Sequence, residues 1–345
     1  MPFENNLGDA GRRQFLRKLS GLAALAAVTP ALLPMRAFAK EAEMVIKGPP
    51  VKDIPATQIS GHVWVIISPD GFANPQNQGM MSNITFVLTK EGVVVLDSGA
   101  SLQIGEMALR QLKKITDKPV IAVINSHYHG DHWLGNHAFV NAYPDIPIYA
   151  HPKTIAAIRQ GGQGDHWKNL MERATDNASI GTIVTAPNKE VDHGSELKFG
   201  DVTLRIHHYG TAHTPADICM EVVEDKVVHV GDVAMDRRIA FMEDGSYLGT
   251  FKTFDALEKN VPGSLWLPGH GEPGPDVIKH NRELFDGIFQ SCVQAVKEMK
   301  SFEEAKSMVL ADPRVKKWAP VTKGFNENIG SYTSLAYLEA EQSAF

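Results

Sequence analysis

His127-Tyr128-His129-Gly130-Asp131-His132 places three imidazoles and a carboxylate within six residues. These groups share one chemistry, lone-pair donation to a divalent metal. Neutral imidazole and carboxylate suit zinc, with iron or manganese as competitors. In an extended chain His127, His129 and Asp131 share one face and His132 points away. One tetrahedral ion cannot easily accept all four from so tight a loop. Two ions can, if His127 and His129 serve one and Asp131 and His132 the other. Each ion then needs further ligands, and His213, Asp232 and His270 are the natural suppliers. Two ions ~3.5–4 Å apart can share a water and lower its pKa enough to give a bridging hydroxide at neutral pH. The chemistry expected is hydrolysis at a carbonyl, phosphoryl or sulfuryl centre, with Asp131 orienting the nucleophile or passing on its proton.

These residues need a rigid frame. Strand-like runs occur at residues 62–67, 84–88, 93–96 and 120–124, each rich in β-branched or aromatic residues. The last of them ends at the histidine run. Residues 102–115 read as a helix, 132–141 as another, and 146–149 as a short strand. A polar helical stretch follows over 154–178. Residues 197–208 and 218–230 read as strands, the second a hairpin turned at Glu224-Asp225, and 264–267 is a last strand. From Asp276 onward the pattern is helical, over 277–300, 302–310 and 331–341. His213 (in Gly210-Thr211-Ala212-His213-Thr214-Pro215), Asp232 (after Val230-Gly231) and His270 (in Pro268-Gly269-His270-Gly271) each sit where a strand hands over to a loop. A sheet fixes such loop ends, and functional residues collect there. Strands and helices alternate, and many strand runs are apolar throughout, which predicts an α/β layered domain with doubly buried strands.

The 345-residue chain is 43% hydrophobic, ample for a large core, and carries a formal net charge of −6. That balance, with no basic patch, argues against a nucleic-acid partner and leaves a small-molecule substrate. Cys219 and Cys292 cannot build a metal knuckle; both sit in apolar runs and are expected as buried thiols. At the N-terminus, Arg12-Arg13 precedes Gln14-Phe15-Leu16 and further positive charge. The stretch from Leu19 to Pro34 is too short, and too interrupted by Gly21 and Pro30, to span a membrane. Ala37-Phe38-Ala39 then forms a small-x-small cleavage site. The segment resembles a twin-arginine export signal over residues 1–39. A mature chain from Lys40 would be more acidic, periplasmic and not inserted in the membrane.

Taken together, Val95-Leu96-Asp97-Ser98-Gly99, the His-x-His-x-Asp-His run, the Gly-Thr-Ala-His-Thr-Pro turn, the Gly-Asp and the Pro-Gly-His-Gly resemble the metallo-β-lactamase-fold superfamily of hydrolases. The resemblance implies a four-layer αββα sandwich over residues 40–275, with residues 276–345 a helical extension packed on it. It implies two zinc ions: His127, His129 and His213 on the first, Asp131, His132 and His270 on the second, Asp232 bridging, and Asp97 orienting the ligand loop. β-Lactamases of the commonest metal-dependent type carry a cysteine where Asp232 stands, so hydrolysis of an ester, thioester, lactone or amide-type bond is expected before β-lactamase activity. The general layout is nearest to periplasmic zinc metallohydrolases linked to sulfur oxidation and quinoprotein relay systems. That likeness leaves two rivals: a non-catalytic accessory protein with a periplasmic redox partner, and an iron-dependent persulfide dioxygenase on the same fold.

Other residues weigh less. His137, His207 and His208 favour structural roles, and His151, His166, His193, His229 and His280 have no ligand partner near them in sequence. Tyr128 and Trp133 either wall a pocket or pack around the motif. The loop Asn74–Ser82, with Met80 and Met81, is expected by family analogy to overhang the metal mouth. Gly161-Gly162-Gln163-Gly164 lacks a preceding strand and a following Lys-Ser/Thr, so it reads as a hinge rather than a phosphate loop.

Overall fold

A computed structural model describes residues 46–69 and 71–344. The export-signal reading at residues 1–39 lies outside them. The first sheet runs in chain order through β1 (Thr57–Gln58), β2 (Val63–Ile66), β3 (Ile84–Leu88), β4 (Val93–Leu96), β5 (Val120–Ile124), β6 (Ile148–Ala150) and β7 (Lys189–Glu190). It is antiparallel as far as β4 and parallel from β4 to β7. The second sheet contains β8 (Glu196–Phe199), β9 (Val202–His207), β10 (Cys219–Val222), β11 (Val227–Gly231) and β12 (Leu265–Pro268). Its spatial order is β12-β11-β10-β9-β8, with only the β11–β12 pair parallel.

The alternation within the strands decides the layering. Val63, Val65, Val87, Val94, Leu96 and Ile124 of the first sheet pack in one cluster with Leu204, Ile206, Met220 and Val222 of the second. The intervening residues Phe86, Val95 and Val123 face the other way, onto helices α1 (Leu102–Ile115) and α2 (Asn136–Ala142). The outer face of the second sheet, Val228, Val230 and Trp266, packs on α5 (Tyr247–Asn260) and the start of α6 (Val277–Lys297). The architecture is therefore helix, sheet, sheet, helix, the four layers that the family resemblance implied. Full burial of each Val, Leu or Ile contributes about 1.5–3 kcal/mol, so these apolar faces are what holds the layers together.

Beyond α6, helices α7 (Phe302–Ala311), α8 (Pro313–Trp318) and α9 (Phe325–Ala344) form a further apolar cluster with Ile239, Met242 and Tyr247. Among the described residues, no helix is long and apolar enough to cross a membrane. Cys219 and Cys292 are free and buried.

Three elements differ from the sequence reading. The stretch 154–178 is two helices, α3 (Pro152–Arg159) and α4 (Gln163–Ala174), parted where Gly162 takes φ 76°. The run 197–208 is a hairpin, because Gly200 (φ 62°) turns β8 into β9. The whole of α5 goes unrecognised in the sequence. Its apolar positions Tyr247, Phe254 and Leu257 are helically spaced, and Ser246 caps it by accepting from Gly249 N–H at 2.9 Å, but Gly245 and Gly249 obscure the pattern.

Candidate metal centre

β5 runs into Asn125-Ser126 and then the histidine loop. The loop is extended only as far as His129 (φ −70°, ψ 135°); Gly130–His132 closes into a 3-10 turn in which His132 N–H donates to His129 C=O at 3.1 Å. The alternating-face argument therefore ends at His129, and the tight turn brings Asp131 and His132 to one side. His213 comes from the β9–β10 connection, Asp232 from the end of β11 and His270 from the end of β12. All seven side chains are buried. They form two groups able to hold metal, His127/His129/His213/Asp232 and Asp131/His132/His270, each with its ligand atoms within 4.8 Å of one another. Asp232 stands between the groups. Its Oδ2 lies 3.1 Å from His270 Nε2, 3.6 Å from His213 Nε2 and 4.0 Å from His127 Nε2, and its Oδ1 lies 3.4 Å from His132 Nε2.

The hydrogen bonds fix which nitrogen faces inward. Ser126 Oγ–H donates to Asp97 Oδ2 at 2.8 Å, so its lone pair accepts from His127 Nδ1–H at 2.9 Å. His132 Nδ1–H donates to Asp97 Oδ2 at 2.8 Å, and His270 Nδ1–H to Met81 C=O at 2.6 Å. Each ring thus keeps its Nε2 lone pair for the centre. His127 Nε2, His132 Nε2, Asp131 Oδ2 and Asp232 Oδ1 are buried with no hydrogen-bond partner. Buried polar atoms are rarely left so; four of them converging from a His/Asp set fit divalent metal.

The electrostatics agree. Burial, reinforced by neighbouring imidazoles, holds His127 and His129 well below the ordinary histidine range. Burial likewise pushes His213 down to about 4. These rings are neutral ligands at pH 7. For Asp131 and Asp232, burial favours the protonated form, but positive charge on His132 and His270, which these carboxylates raise above the ordinary histidine range against the effect of burial, outweighs it and holds both carboxyls well below their usual range; that is the charge a metal cation would replace, leaving both rings neutral.

Asp97 sits at the end of β4 with φ 55°, a backbone region sparsely used by residues other than glycine and tolerated best by Asn and Asp. It accepts Ser126 N–H and Oγ–H and His132 Nδ1–H, and His229 Nε2 approaches it at 3.6 Å. His229 Nδ1 accepts from Gly231 N–H at 3.2 Å, so its proton is on Nε2, toward that carboxylate. Asp97→Asn is expected to weaken metal affinity about 10–100-fold, because the amide cannot accept from Ser126 and His132 together. Competition with a chromogenic chelator measures this; unchanged affinity would remove Asp97 from the site.

Several positioning residues escaped the sequence reading. Ser82 Oγ–H donates to Asp131 C=O at 2.5 Å, and Asn83 ties the Pro268–Gly271 turn through its N–H to Gly269 C=O (2.7 Å) and its amide to Pro268 and Gly271 C=O (2.9 and 2.8 Å). Gly269 is required by close approach: a Cβ there would lie 2.2 Å from Asp232 Oδ1. The unrecognised α5 carries the His213 turn, for Ser246 N–H donates to Ala212 C=O at 2.8 Å and a Cβ on Gly249 would lie 1.7 Å from Thr211 O. Nothing in local spacing announces such long-range contacts.

Of the other histidines, His137 Nδ1 accepts from Ile183 N–H, His207 bonds Glu221 and Tyr209, and His208 Nδ1–H donates to Asp217 C=O. Trp133 is fully buried and donates to Tyr128 C=O at 2.8 Å, so this pair packs the motif and does not line the cavity at the metal residues. Trp167, Phe241 and Phe72 take that place, in a cavity of about 260 Å³ that reaches His129, Asp131, Asp232 and His270; His166, set aside in the sequence, also lines it. Of the loop methionines only Met81 faces the cavity, while Met80 is in the core.

A family profile described as the metallo-beta-lactamase superfamily matches residues 77–306. The chain is similar to a type 2 metallo-beta-lactamase of Bacillus sp. (strain 170), 23% identical over 256 residues, covering 72% of this chain and 89% of that protein. A 64-residue segment is 39% identical to a linear primary-alkylsulfatase of Pseudomonas sp. (strain ATCC 19151), but spans only 12% of it. Among solved structures, a metallo-beta-lactamase from Pontibacter korlensis superposes with a TM-score of 0.53 at 20% identity, covering 67% of this chain and 97% of that one. Metallo-beta-lactamase IND-7 superposes at 0.51, also at 20% identity, covering 69% and 96%. At such identities the structural likeness shows the fold.

Proposed function

The chain belongs to the metallo-beta-lactamase superfamily of metal-dependent hydrolases, and from that premise we propose that it is an exported dinuclear zinc enzyme that cleaves an ester, thioester, lactone or amide-type bond. The observation that carries the proposal is the convergence of seven buried ligand-type side chains, four of whose inward atoms have no protein partner. His127, His129 and His213 would hold one ion and Asp131, His132 and His270 the other, with Asp232 between them. Bound there, two zinc ions would supply an activated water at neutral pH and polarise the scissile carbonyl. The chain's own residues do the rest. Asp97, through Ser126 and directly, keeps the His127 and His132 rings in one tautomer. Asp131, besides serving as a ligand through one carboxylate oxygen, would orient the attacking water and pass on its proton. Trp167 and Phe241 shield the reacting atoms from bulk water. The twin-arginine-like segment supports a periplasmic address, where a redox partner is to be sought among cytochromes and quinoproteins.

Similarity to named metallo-beta-lactamases favours a second reading, β-lactam hydrolysis; an aspartate at 232, in place of cysteine, argues for other acyl bonds. The test is elemental analysis of the mature protein followed by a screen of thioesters, lactones, esters, β-lactams and phosphodiesters. Near two zinc per chain with acyl hydrolysis is expected. Iron with persulfide-dependent oxygen uptake, or two metals with no hydrolysis and tight binding to a redox protein, would replace the proposal.

A further inference from the structure

The cavity beside the metal residues has a composition that selects its occupant. Phe72, Met81, Trp167, Leu170, Met171 and Phe241 supply most of its wall. No Lys or Arg lines it among the described residues, and its two carboxylates, Asp131 and Asp232, belong to the metal set. The Arg238 guanidinium, whose charge is felt by Asp131 and Asp232, is 5% exposed, lies over the Phe72 ring at 5.1 Å and is not part of the lining. Phe72 and Phe241 are 42% and 44% exposed, two of the few large apolar side chains left to solvent, and both stand at this one mouth. Exposed aromatic surface around a concave apolar wall marks a ligand site.

We infer that the substrate carries a neutral, apolar acyl or alkyl chain, seated against Trp167, Met171 and Phe241 with its scissile group at the metal residues. This rests on the hydrolase reading above. A volume of about 260 Å³ holds some eight or nine water-sized groups at roughly 30 Å³ each, the room that a medium-length chain fills. A carboxylate, sulfate or ammonium at the far end of that chain would exchange its hydration for a mainly apolar wall whose uncharged polar atoms are few, Trp167 Nε1–H and Asn328 among them, a net cost that disfavours it. Asn328 contributes one uncharged polar edge; its Nδ2 donates to Gly324 C=O at 2.8 Å, which leaves Oδ1 as an acceptor, while Trp167 Nε1–H is a buried donor with no protein partner, a pair suited to a neutral polar group.

The experiment uses zinc-loaded protein and p-nitrophenyl esters from acetyl to decanoyl, with matched esters ending in a carboxylate. In parallel, calorimetry measures binding of hexanol, octanol and decanol. The expected result is a kcat/KM that rises roughly two- to fourfold per methylene until the cavity is full, poor turnover of the carboxylate-tipped esters, and alcohol affinity that rises with length. Phe241→Asp, at an exposed position, should flatten both slopes; circular dichroism and metal content confirm that it is folded. Ester turnover that is flat with length, or that favours the anionic chain, overturns this inference and leaves the hydrolase reading standing. Length-dependent alcohol binding with no ester, thioester or lactone hydrolysed supports the apolar site and overturns the hydrolase reading. Neither binding nor hydrolysis overturns both.

Discussion

An Asp232→Ala protein is expected to purify with less than its full metal content and to lose at least roughly 10²-fold in kcat/KM. The carboxylate's two oxygens are shared between both ligand groups, Oδ2 near His270, His213 and His127 and Oδ1 near His132. Removing it takes the carboxylate out of the His127/His129/His213 group and, on the proposed bridging role, out of the second group as well, and leaves Asp131 as the remaining carboxylate of the two groups. The several kcal/mol that a correctly held metal contributes to the transition state correspond to losses of that size, since each 1.36 kcal/mol is a factor of ten. The buried position, 7% exposed, adds a second consequence. Gly269 packs so close that a Cβ there would lie 2.2 Å from Asp232 Oδ1, so alanine leaves a gap where the β11 and β12 loop ends meet. Asp232→Asn fills that gap while removing the charge. If the two variants lose metal and rate alike, charge and ligation are responsible; if Asn restores both, the aspartate is there for packing. Full zinc content and wild-type turnover in both would remove Asp232 from the centre.

The ligand set was legible in the sequence for a physical reason. A metal needs particular atom types, and loops at strand ends present them in short runs, so His127 to His132 and the turns around His213, Asp232 and His270 could be read locally. The sheets were legible because strands such as Val93–Leu96 are apolar on both faces. What the sequence concealed is long-range. Ser82 and Asn83 brace loops that are dozens of residues away, and Ser126 and His229 look ordinary until Asp97 is seen to gather them. Helix α5 was hidden because the glycine that lets it press against Thr211 also weakens its helical signature. The cavity wall misled in the same way: Trp133 flanks the ligands in sequence, yet Trp167, from a separate helix, is the ring that stands 4.8 Å from His129.

Asp131 gives a different kind of loss from Asp232, and the difference tests the proposed proton role. Replacing it with alanine is expected to lower kcat about 10²–10⁴-fold, the range over which a positioned acid–base group acts. Asp131 Oδ2 lies 3.3 Å from both His132 Nε2 and His270 Nε2, contacts not aligned as hydrogen bonds, and has no hydrogen-bonded partner of its own. Its backbone is held independently, through Ser82 on its carbonyl and the 3-10 turn around it, so the side chain can be changed without releasing His129 or His132. A purely structural or ligating role would appear as lost zinc, restored by raising free metal. A proton-handling role would persist at saturating zinc, fall mainly on kcat, and change the pH profile. The carboxyl is held well below its usual range by positive charge on His132 and His270 against the effect of burial, and a bound cation would supply that charge in their place, so the wild-type acidic limb of kcat should lie below the ordinary carboxylate range, and Asp131→Ala should remove that limb. Asp131→Glu, which keeps the carboxylate but displaces it by one methylene, should recover part of the limb even where it recovers little rate. A zinc-saturated Asp131→Ala enzyme with unchanged kcat and an unchanged profile would assign the proton to another group.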